Sequence, residues 1–400
     1  MQEYIKNKIH KNYVLKFRKI NISSIIWILI SLKIFSLDVS RNIIDYLIFG
    51  LTCIVVIFSI SKVINKESLP IIILFIILIL LQIIGLFQLS TFFSFTNIIS
   101  TICVCFFILS ISESNISIQS EYMHFIFLIS LIRMVITASN GNINLGNTLP
   151  GCTVFFSYAY LVSIFMNKNK HHMGKYFILY IIINMISIYI CLKSNSRTAL
   201  FIIPIISIFF IFYIFIWKER STLPIFFTLL CALIIIIVLY SNIHKFSWYD
   251  KLNVWSSSIF GKNLDSSRVN LWLTSIRELE WWQFIIGSGT GRLPSIARYD
   301  TSSFHNSYLQ LLMQNGILGL ICLVLIFYNI WKKLDKYSYD LVIKLVLSIF
   351  SGIMIYNCFE STLLQNKIFI GIIEWFILCC GIIRVKQLDL IENYKINRLK

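Results

Sequence analysis

The feature that most constrains this chain is a series of long apolar runs separated by short polar segments. Each run approaches the roughly 20 helical residues needed to cross a hydrocarbon core of about 30 Å. Apolar residues make up 58% of the 400-residue sequence and charged residues only 13%, whereas a soluble domain carries about 25% charged residues. Charge is too scarce to cover a water-facing surface, so the sequence predicts a polytopic membrane protein.

The apolar runs predict an all-α integral membrane fold with about 12 transmembrane helices in a single domain over residues 1–400. A backbone in lipid must satisfy its own hydrogen bonds, so these runs should be helical even where Ile and Phe favour strands. They also lack the alternation that a transmembrane barrel requires. The predicted helices cover residues 22–40, 42–63, 70–88, 92–112, 121–139, 149–166, 174–192, 198–217, 222–241, 305–331, 340–358 and 366–385.

The distribution of Lys and Arg predicts the orientation of these helices. Most of the 35 basic residues lie in the N-terminal segment, the C-terminal tail and alternate connections. Because cytoplasmic connections are enriched in Lys and Arg, both termini should be cytoplasmic. The net charge of +17 is therefore a signal of topology and of contact with anionic membrane lipid, and we expect no nucleic-acid partner. The polar start of the chain argues against a cleavable signal peptide.

One connection is much longer than the others. Residues 242–304 separate the ninth and tenth predicted helices and should form an extracytoplasmic loop, and loops of this length are usually functional. Apolar residues at 269, 272, 273, 276 and 279 follow a helical period, and Asp265 precedes them as a candidate cap. These features predict an amphipathic helix that begins near Arg268 and lies on the outer membrane surface.

The long loop holds five of the nine tryptophans of the chain, and two interpretations of them remain open. Tryptophan is enriched at membrane–water interfaces, so these side chains could anchor the loop. An aromatic face also complements the apolar C–H face of a sugar ring, so some of them could bind a glycan. The five residues are Trp248, Trp255, Trp272, Trp281 and Trp282.

Three basic residues fall at the predicted outer ends of helices. Arg197 precedes the eighth helix, Arg268 opens the helix of the long loop, and His305 begins the tenth helix. A guanidinium matches phosphate oxygens with two parallel donors, so two arginines at this boundary could hold a lipid-linked pyrophosphate. Taken singly, each arginine could instead be a snorkelling surface charge, and His305 could be a capping residue.

Other polar residues give weaker signals. Arg133 lies inside an apolar helix, where an ionisable residue suggests either a functional site or a buried structural pair. The segment 287–292, which is rich in glycine and ends in Arg292, could bind phosphate through backbone N–H groups or could be a flexible turn. The loop has no Asp-x-Asp pair, and no cysteine pair has metal-ligand spacing. We therefore expect neither a metal nor a cofactor.

Two short motifs resemble the O-antigen polymerase/O-antigen ligase superfamily (Wzy and WaaL type), bacterial envelope enzymes with a GT-C-like fold. One motif is Ser196-Arg197-Thr198-Ala199-Leu200 at the start of an apolar helix. The other is His305-Asn306-Ser307-Tyr308-Leu309, followed by Gly316-Ile317-Leu318-Gly319. Ser267-Arg268 with Trp272, and Gly287-Ser288-Gly289, are similar to weaker positions between them. The likeness covers about residues 190–325.

The resemblance implies a metal-independent, inverting glycosyl transfer on the outer face of a bacterial inner membrane. The donor would be an undecaprenyl-pyrophosphate-linked glycan, with Arg197 and Arg268 on the pyrophosphate. His305 would act as the general base toward an acceptor hydroxyl or would orient that hydroxyl. A flippase and a chain-length regulator would be possible partners. Further substrate contacts are expected from Arg133, Asn195, Asn306, Tyr308, Arg292 and Trp272.

The form of the second motif and the moderate length of the loop favour a polymerase of glycan repeat units. The alternative is an O-antigen ligase, whose acceptor is lipid A–core. A repeat-unit flippase would also have about 12 helices, but it should show two similar halves and short outer loops. The single, off-centre long loop argues against it.

Overall fold

The computed structural model is helical, and its described part contains no strand. It describes residues 68–89, 92–113, 123–140, 148–166, 173–217, 220–265, 268–292, 303–364 and 368–399. Within these ranges the helices are α1 (Leu69–Gln88), α2 (Phe92–Glu113), α3 (Met123–Ser139), α4 (Thr148–Met166), α5 (Met173–Lys193), α6 (Arg197–Phe215), α7 (Leu223–Ser241), α8 (Tyr249–Phe260), α9 (Arg268–Arg277), α10 (Trp281–Ile286), α11 (Ser307–Asp335), α12 (Leu341–Tyr356) and α13 (Ile368–Leu399).

The ten predicted transmembrane helices that fall on described residues are all present as helices, and each begins within two residues of its predicted start. The predicted helices 22–40 and 42–63 lie outside the described residues. One predicted end is wrong: α13 was expected to stop at 385 and continues to Leu399. Its extension is polar, and Asp389 in it bonds Lys336 and Tyr337 beyond the end of α11, which stabilises the added turns.

Five of the described helices, α1, α4, α6, α7 and α11, are long and apolar enough to cross a membrane. Only 33%, 33% and 22% of the residues in the apolar windows of α1, α6 and α7 are buried, whereas 94% of those in α4 are buried in the protein. An exposed apolar face is expected where a helix borders lipid, and a fully buried apolar helix belongs to the interior. The all-α integral membrane class is therefore confirmed.

The interior of the bundle forms around α4, α12 and α13. Helix α12 packs against α6 and α13, and α13 packs against α4 and α2. Helix α11 packs against α1 and also against α9 and α10 of the long loop. The start of α6, the end of α7, the start of α11 and the end of α12 thereby meet on one side of the bundle.

The described part of the long loop, residues 242–265 and 268–292, contains three α-helices, of which α9 is the predicted one. Helix α9 was predicted to lie flat on the membrane surface, but protein covers much of it. Trp272 is 1% exposed, and Leu271 and Ser275 are also buried. Helix α9 packs against α7 and α11, while Ile276 on its apolar stripe remains exposed. Contacts with neighbouring helices, rather than the periodic stripe, decide which face of this short helix is covered.

The glycine-rich segment 287–292 is packed between α1 and α11. Gly287 and Gly316 both have positive φ angles, and Gly316 interrupts α11 with non-helical geometry. A Cβ atom on Gly316 would lie 2.1 Å from the Ile285 carbonyl oxygen, so only glycine allows this approach. Thr290, fully buried, donates to the Gln82 carbonyl at 3.0 Å. The segment is therefore neither a flexible turn nor an open phosphate loop.

Candidate active site

A buried ion pair joins the long loop to the end of α12. Arg268, the first residue of α9, donates from Nη2 to Glu360 Oε1 at 3.1 Å and from Nη1 to the Phe359 carbonyl at 2.7 Å. The side chain of Glu360 is fully buried, and that of Arg268 is 11% exposed. Within the described residues these bonds use two of the five guanidinium N–H donors. The remaining donors give Arg268 capacity for an anionic ligand.

His305 lies against the same carboxylate. Its Nδ1 atom is 3.8 Å from the second oxygen of Glu360 and has no hydrogen-bond partner among the described residues. The imidazole is 30% exposed, so its other side is open to a ligand. His305 also has a positive φ of 53°, a backbone conformation that costs on the order of 1–3 kcal/mol and that concentrates at functional sites.

Aromatic residues hold the backbone on both sides of this ion pair. Trp272, one turn after Arg268, donates from Nε1 to the Phe304 carbonyl at 2.8 Å, directly before His305. The Tyr240 ring at the end of α7 lies 5.2 Å from the Trp272 ring and 5.3 Å from that of Phe359. One short helix thereby positions both basic groups of the site.

A network of buried polar groups supports the turn that carries Glu360. The Ser307 hydroxyl donates to Asn357 Oδ1 at 2.6 Å, and the backbone N–H of Thr362 donates to the Ser307 hydroxyl at 3.1 Å. Glu374 of α13 accepts from Asn357 Nδ2 at 3.2 Å and from the Thr362 hydroxyl at 3.0 Å. A satisfied network of this kind rigidifies its surroundings, so the Glu360 backbone is held from two helices.

Arg197 lies at the start of α6 and contacts the segment just before Arg268, since its Nη1 atom is 3.3 Å from the Leu264 carbonyl oxygen. Its Nη1 atom donates to the Ser256 hydroxyl at 2.7 Å and to the Asn263 carbonyl at 2.8 Å, both in or just after α8. Two neighbouring guanidinium groups raise the local positive potential. An anion with several oxygens would relieve their repulsion by binding both.

Asp265 connects α7, α8 and α9 beside these arginines. Its carbonyl accepts from the Tyr240 hydroxyl at 2.9 Å and from the Arg268 backbone N–H at 3.0 Å, and its carboxylate is 3.3 Å from His244 Nε2. Burial, followed by the charge of Asp265, raises the pKa of Tyr249, whose hydroxyl lies 3.4 Å from the same carboxylate. Asp265 fixes where α9 begins, and so where Arg268 points.

The predicted contacts Asn306, Tyr308 and Trp272 have structural partners. Asn306 caps α11 by accepting from the Leu309 N–H at 2.9 Å, although its Nδ2 atom has no partner among the described residues. The buried Tyr308 hydroxyl donates to the Met354 carbonyl at 2.8 Å. Because Tyr308 and Trp272 are buried with their polar atoms in use, we assign them positions in the framework of the site.

The other predicted contacts lie at different distances from the ion pair. Asn195 is in the turn before Arg197 and has a positive φ of 50°. Arg292 pairs with Glu278 at 3.2 Å on a more exposed part of the loop. Arg133 is half-buried in α3, which packs mainly against α4 and α5. Binding roles for Asn195, Arg292 and Arg133 remain predictions.

The sequence interpretation missed Glu360, which completes the site, and Glu374 and Tyr240, which support it. A signal for Glu374 was available, because the chain has only 18 acidic residues and this one falls inside an apolar helix. An ionisable residue in a membrane segment is a functional candidate by default. That criterion selects Glu374 as well as Arg133, whereas Glu360 lies after the end of α12.

Comparison with known proteins agrees with the motifs. Residues 182–324 match the Wzy_C family model, which is described as O-antigen ligase. This region covers just over a third of the chain and contains Arg197, Arg268 and His305 but not Glu360. A search of curated proteins found no match. Residues 182–324 are thus similar to the O-antigen ligase/polymerase superfamily, as the motifs predicted, and the match does not distinguish a polymerase from a ligase.

Proposed function

We propose that this protein is a membrane glycosyltransferase of surface polysaccharide assembly that polymerises lipid-linked glycan repeat units. The observation that carries the proposal is the buried Glu360 carboxylate between Arg268 and His305. It combines a cationic group for a phosphate with a histidine that can take a proton. The family match supports a lipid-linked glycan as the substrate class.

Arg268 and Arg197 would bind the pyrophosphate of an undecaprenyl-linked donor. When the bond from the anomeric carbon to the pyrophosphate oxygen breaks, the electron pair remains on the pyrophosphate. Donors placed where this charge develops stabilise the transition state more than the ground state. The contacts of both arginines to carbonyl groups hold their guanidinium planes in place before the donor binds.

His305 would accept the proton of the acceptor hydroxyl as its oxygen attacks the anomeric carbon. Attack from the side opposite the pyrophosphate inverts that carbon. A base oriented by a carboxylate is a recurring arrangement in catalysis. Closure of the 3.8 Å gap would let Nδ1–H donate to Glu360, which leaves Nε2 free as the base. A positioned base typically contributes a factor of about 10²–10⁴ in rate.

Substitution of His305 tests the catalytic assignment. His305→Ala and Arg268→Ala should each abolish long-chain glycan while the protein remains in the membrane. His124→Ala is a matched control, because His124 lies on α3 outside the site and bonds Tyr160 there. A normal ladder of chain lengths on a glycan gel from either site variant would contradict the assignment.

The reaction would take place on the extracytoplasmic face of the inner membrane, with both termini in the cytoplasm. Fusion of alkaline phosphatase near residue 260, in α8, should give an active enzyme. Fusion near residue 170, between α4 and α5, should give an inactive one. The reverse pattern would overturn the proposed orientation.

An O-antigen ligase is the second candidate, favoured by the description of the matching family model. Reconstitution with synthetic lipid-linked repeat units separates the two. Chain growth from these units alone identifies a polymerase, whereas transfer that requires lipid A–core identifies a ligase. Movement of the lipid-linked units across the bilayer without bond formation would contradict both and indicate a carrier.

A further inference from the structure

Helix α8 carries an exposed apolar stripe that the proposed reaction does not use. Trp248, Leu252, Trp255 and Ile259 are each between 42% and 55% exposed. Their spacing of three and four residues places them within roughly 60° of one another around the helix. One flank of α8, which contains Ser256 and Phe260, is covered by protein, whereas Val254, outside the stripe, is 69% exposed. The helix is therefore amphipathic in the folded protein, with its apolar side uncovered.

We propose that this stripe inserts into the membrane interface at the site-bearing end of the bundle. The first reason is continuity with a lipid-facing helix. Exposed Val238 and Leu239 lie near the end of α7, which ends at Ser241, and α8 begins at Tyr249. Only one short 3₁₀ turn separates the two helices, so α8 cannot be far from the level at which α7 leaves the hydrocarbon.

The composition of the stripe also fits an interface rather than a protein partner. Tryptophan is enriched where the hydrocarbon core meets the headgroups, and two of the four stripe residues are Trp248 and Trp255. Lys245 and Lys251 are exposed beside the stripe, where they suit anionic headgroups. The stripe is thus an apolar face with basic neighbours, as expected of a helix that lies in the bilayer surface.

The helix that lies in the membrane interface is therefore α8, and not α9 as the sequence predicted. Helix α9 buries Trp272 against the protein and so is not free to insert, whereas α8 exposes its tryptophans. Ser256, on the covered side of α8, accepts a hydrogen bond from Arg197 at 2.7 Å. The interfacial helix therefore holds one arginine of the site at a set depth relative to the lipid.

Fluorescence quenching tests the insertion independently of any glycan transfer. The full-length protein is placed in nanodiscs made with or without phospholipid brominated in the upper part of one acyl chain. Wild-type protein is compared with Trp255→Phe, which keeps the stripe apolar, and with Trp272→Phe as the buried control. Iodide in the aqueous phase serves as the second quencher.

Brominated lipid should quench the emission lost in Trp255→Phe and should not quench the emission lost in Trp272→Phe. The double substitution Leu252→Asn and Ile259→Asn should reduce quenching of Trp255 severalfold, whereas Ser258→Asn, outside the stripe, should not. Quenching of Trp255 by iodide but not by brominated lipid would overturn the proposal. Access by neither quencher would also overturn it, because protein would then cover the stripe.

Discussion

Glu360→Gln is the substitution that most directly tests the site, because it removes one charge and keeps the shape of the side chain. Glu360 is fully buried and contacts both Arg268 and, at 3.8 Å, His305. The amide can still accept from Arg268 through its oxygen, but it no longer offsets the arginine charge. It also no longer favours a proton on His305 Nδ1. We expect loss of stability and loss of activity together.

The size of the stability loss follows from the distance and the burial. Opposite charges 3.1 Å apart attract by roughly 5 kcal/mol at an effective dielectric constant of about 20. Removing one partner of a buried pair costs about 3–5 kcal/mol, and the retained amide oxygen of glutamine places Glu360→Gln near the lower end. Glu278→Gln is a matched control because its pair with Arg292 has a similar distance of 3.2 Å but Glu278 is 38% exposed. An exposed pair contributes about 0–1 kcal/mol.

Thermal unfolding of both variants in one detergent measures the stability difference, and chain growth from lipid-linked repeat units measures activity. Glu360→Gln should lower the unfolding midpoint clearly and should reduce the rate by about 10²–10⁴, the usual contribution of a positioned base. Glu278→Gln should leave the midpoint nearly unchanged. Equal midpoints for the two variants, together with normal chain growth by Glu360→Gln, would refute the central role of this carboxylate.

Three further substitutions test the framework of the site. Arg268→Lys keeps the charge but loses the planar fork, so long-chain glycan on a gel should be lost; wild-type ladders would contradict bidentate binding. Trp272→Phe removes the donor to the Phe304 carbonyl, so kcat should fall while the amount of folded protein holds; an unchanged kcat would remove its positioning role. Gly316→Ala should abolish folded protein in membrane extracts, because the new Cβ would meet backbone at 2.1 Å. Gly261→Ala, also at positive φ but with open space around it, should cost only about 1 kcal/mol; equal yields of the two variants would contradict the close packing.

The helices were predictable because each depends on a local property of the sequence. An apolar run of sufficient length in lipid has few alternatives to a helix, since unpaired backbone groups are too costly there. Helix starts were also accurate, as in α1 and α7, where Pro70 and Pro224 stand in the first turn. The exceptions were α8 and α10 of the long loop, which were not predicted, and the end of α13, whose last turns are polar and are stabilised by contact with Lys336 and Tyr337.

The site was predictable only in part. Arg197, Arg268 and His305 stood out because charged or basic residues are rare beside apolar helices. Glu360 was missed because it lies in a turn, 92 residues from the arginine that it binds. The helical period of α9 correctly predicted a helix. It wrongly placed Trp272 at the membrane surface, because the burial of a side chain depends on neighbouring helices that a period cannot reveal.

Hydropathy and charge act over short stretches of chain, so they were enough to predict the membrane class, the order of the helices and the three basic residues of the candidate site. The packing of α9, α11 and α12 was needed to show that Arg268, His305 and Glu360 meet and that α8 rather than α9 exposes an apolar stripe. These outcomes depend on packing between distant segments. Side-chain volume, hydrogen bonding and close glycine contacts such as Gly287 with α11 select one arrangement from many that share the same hydropathy.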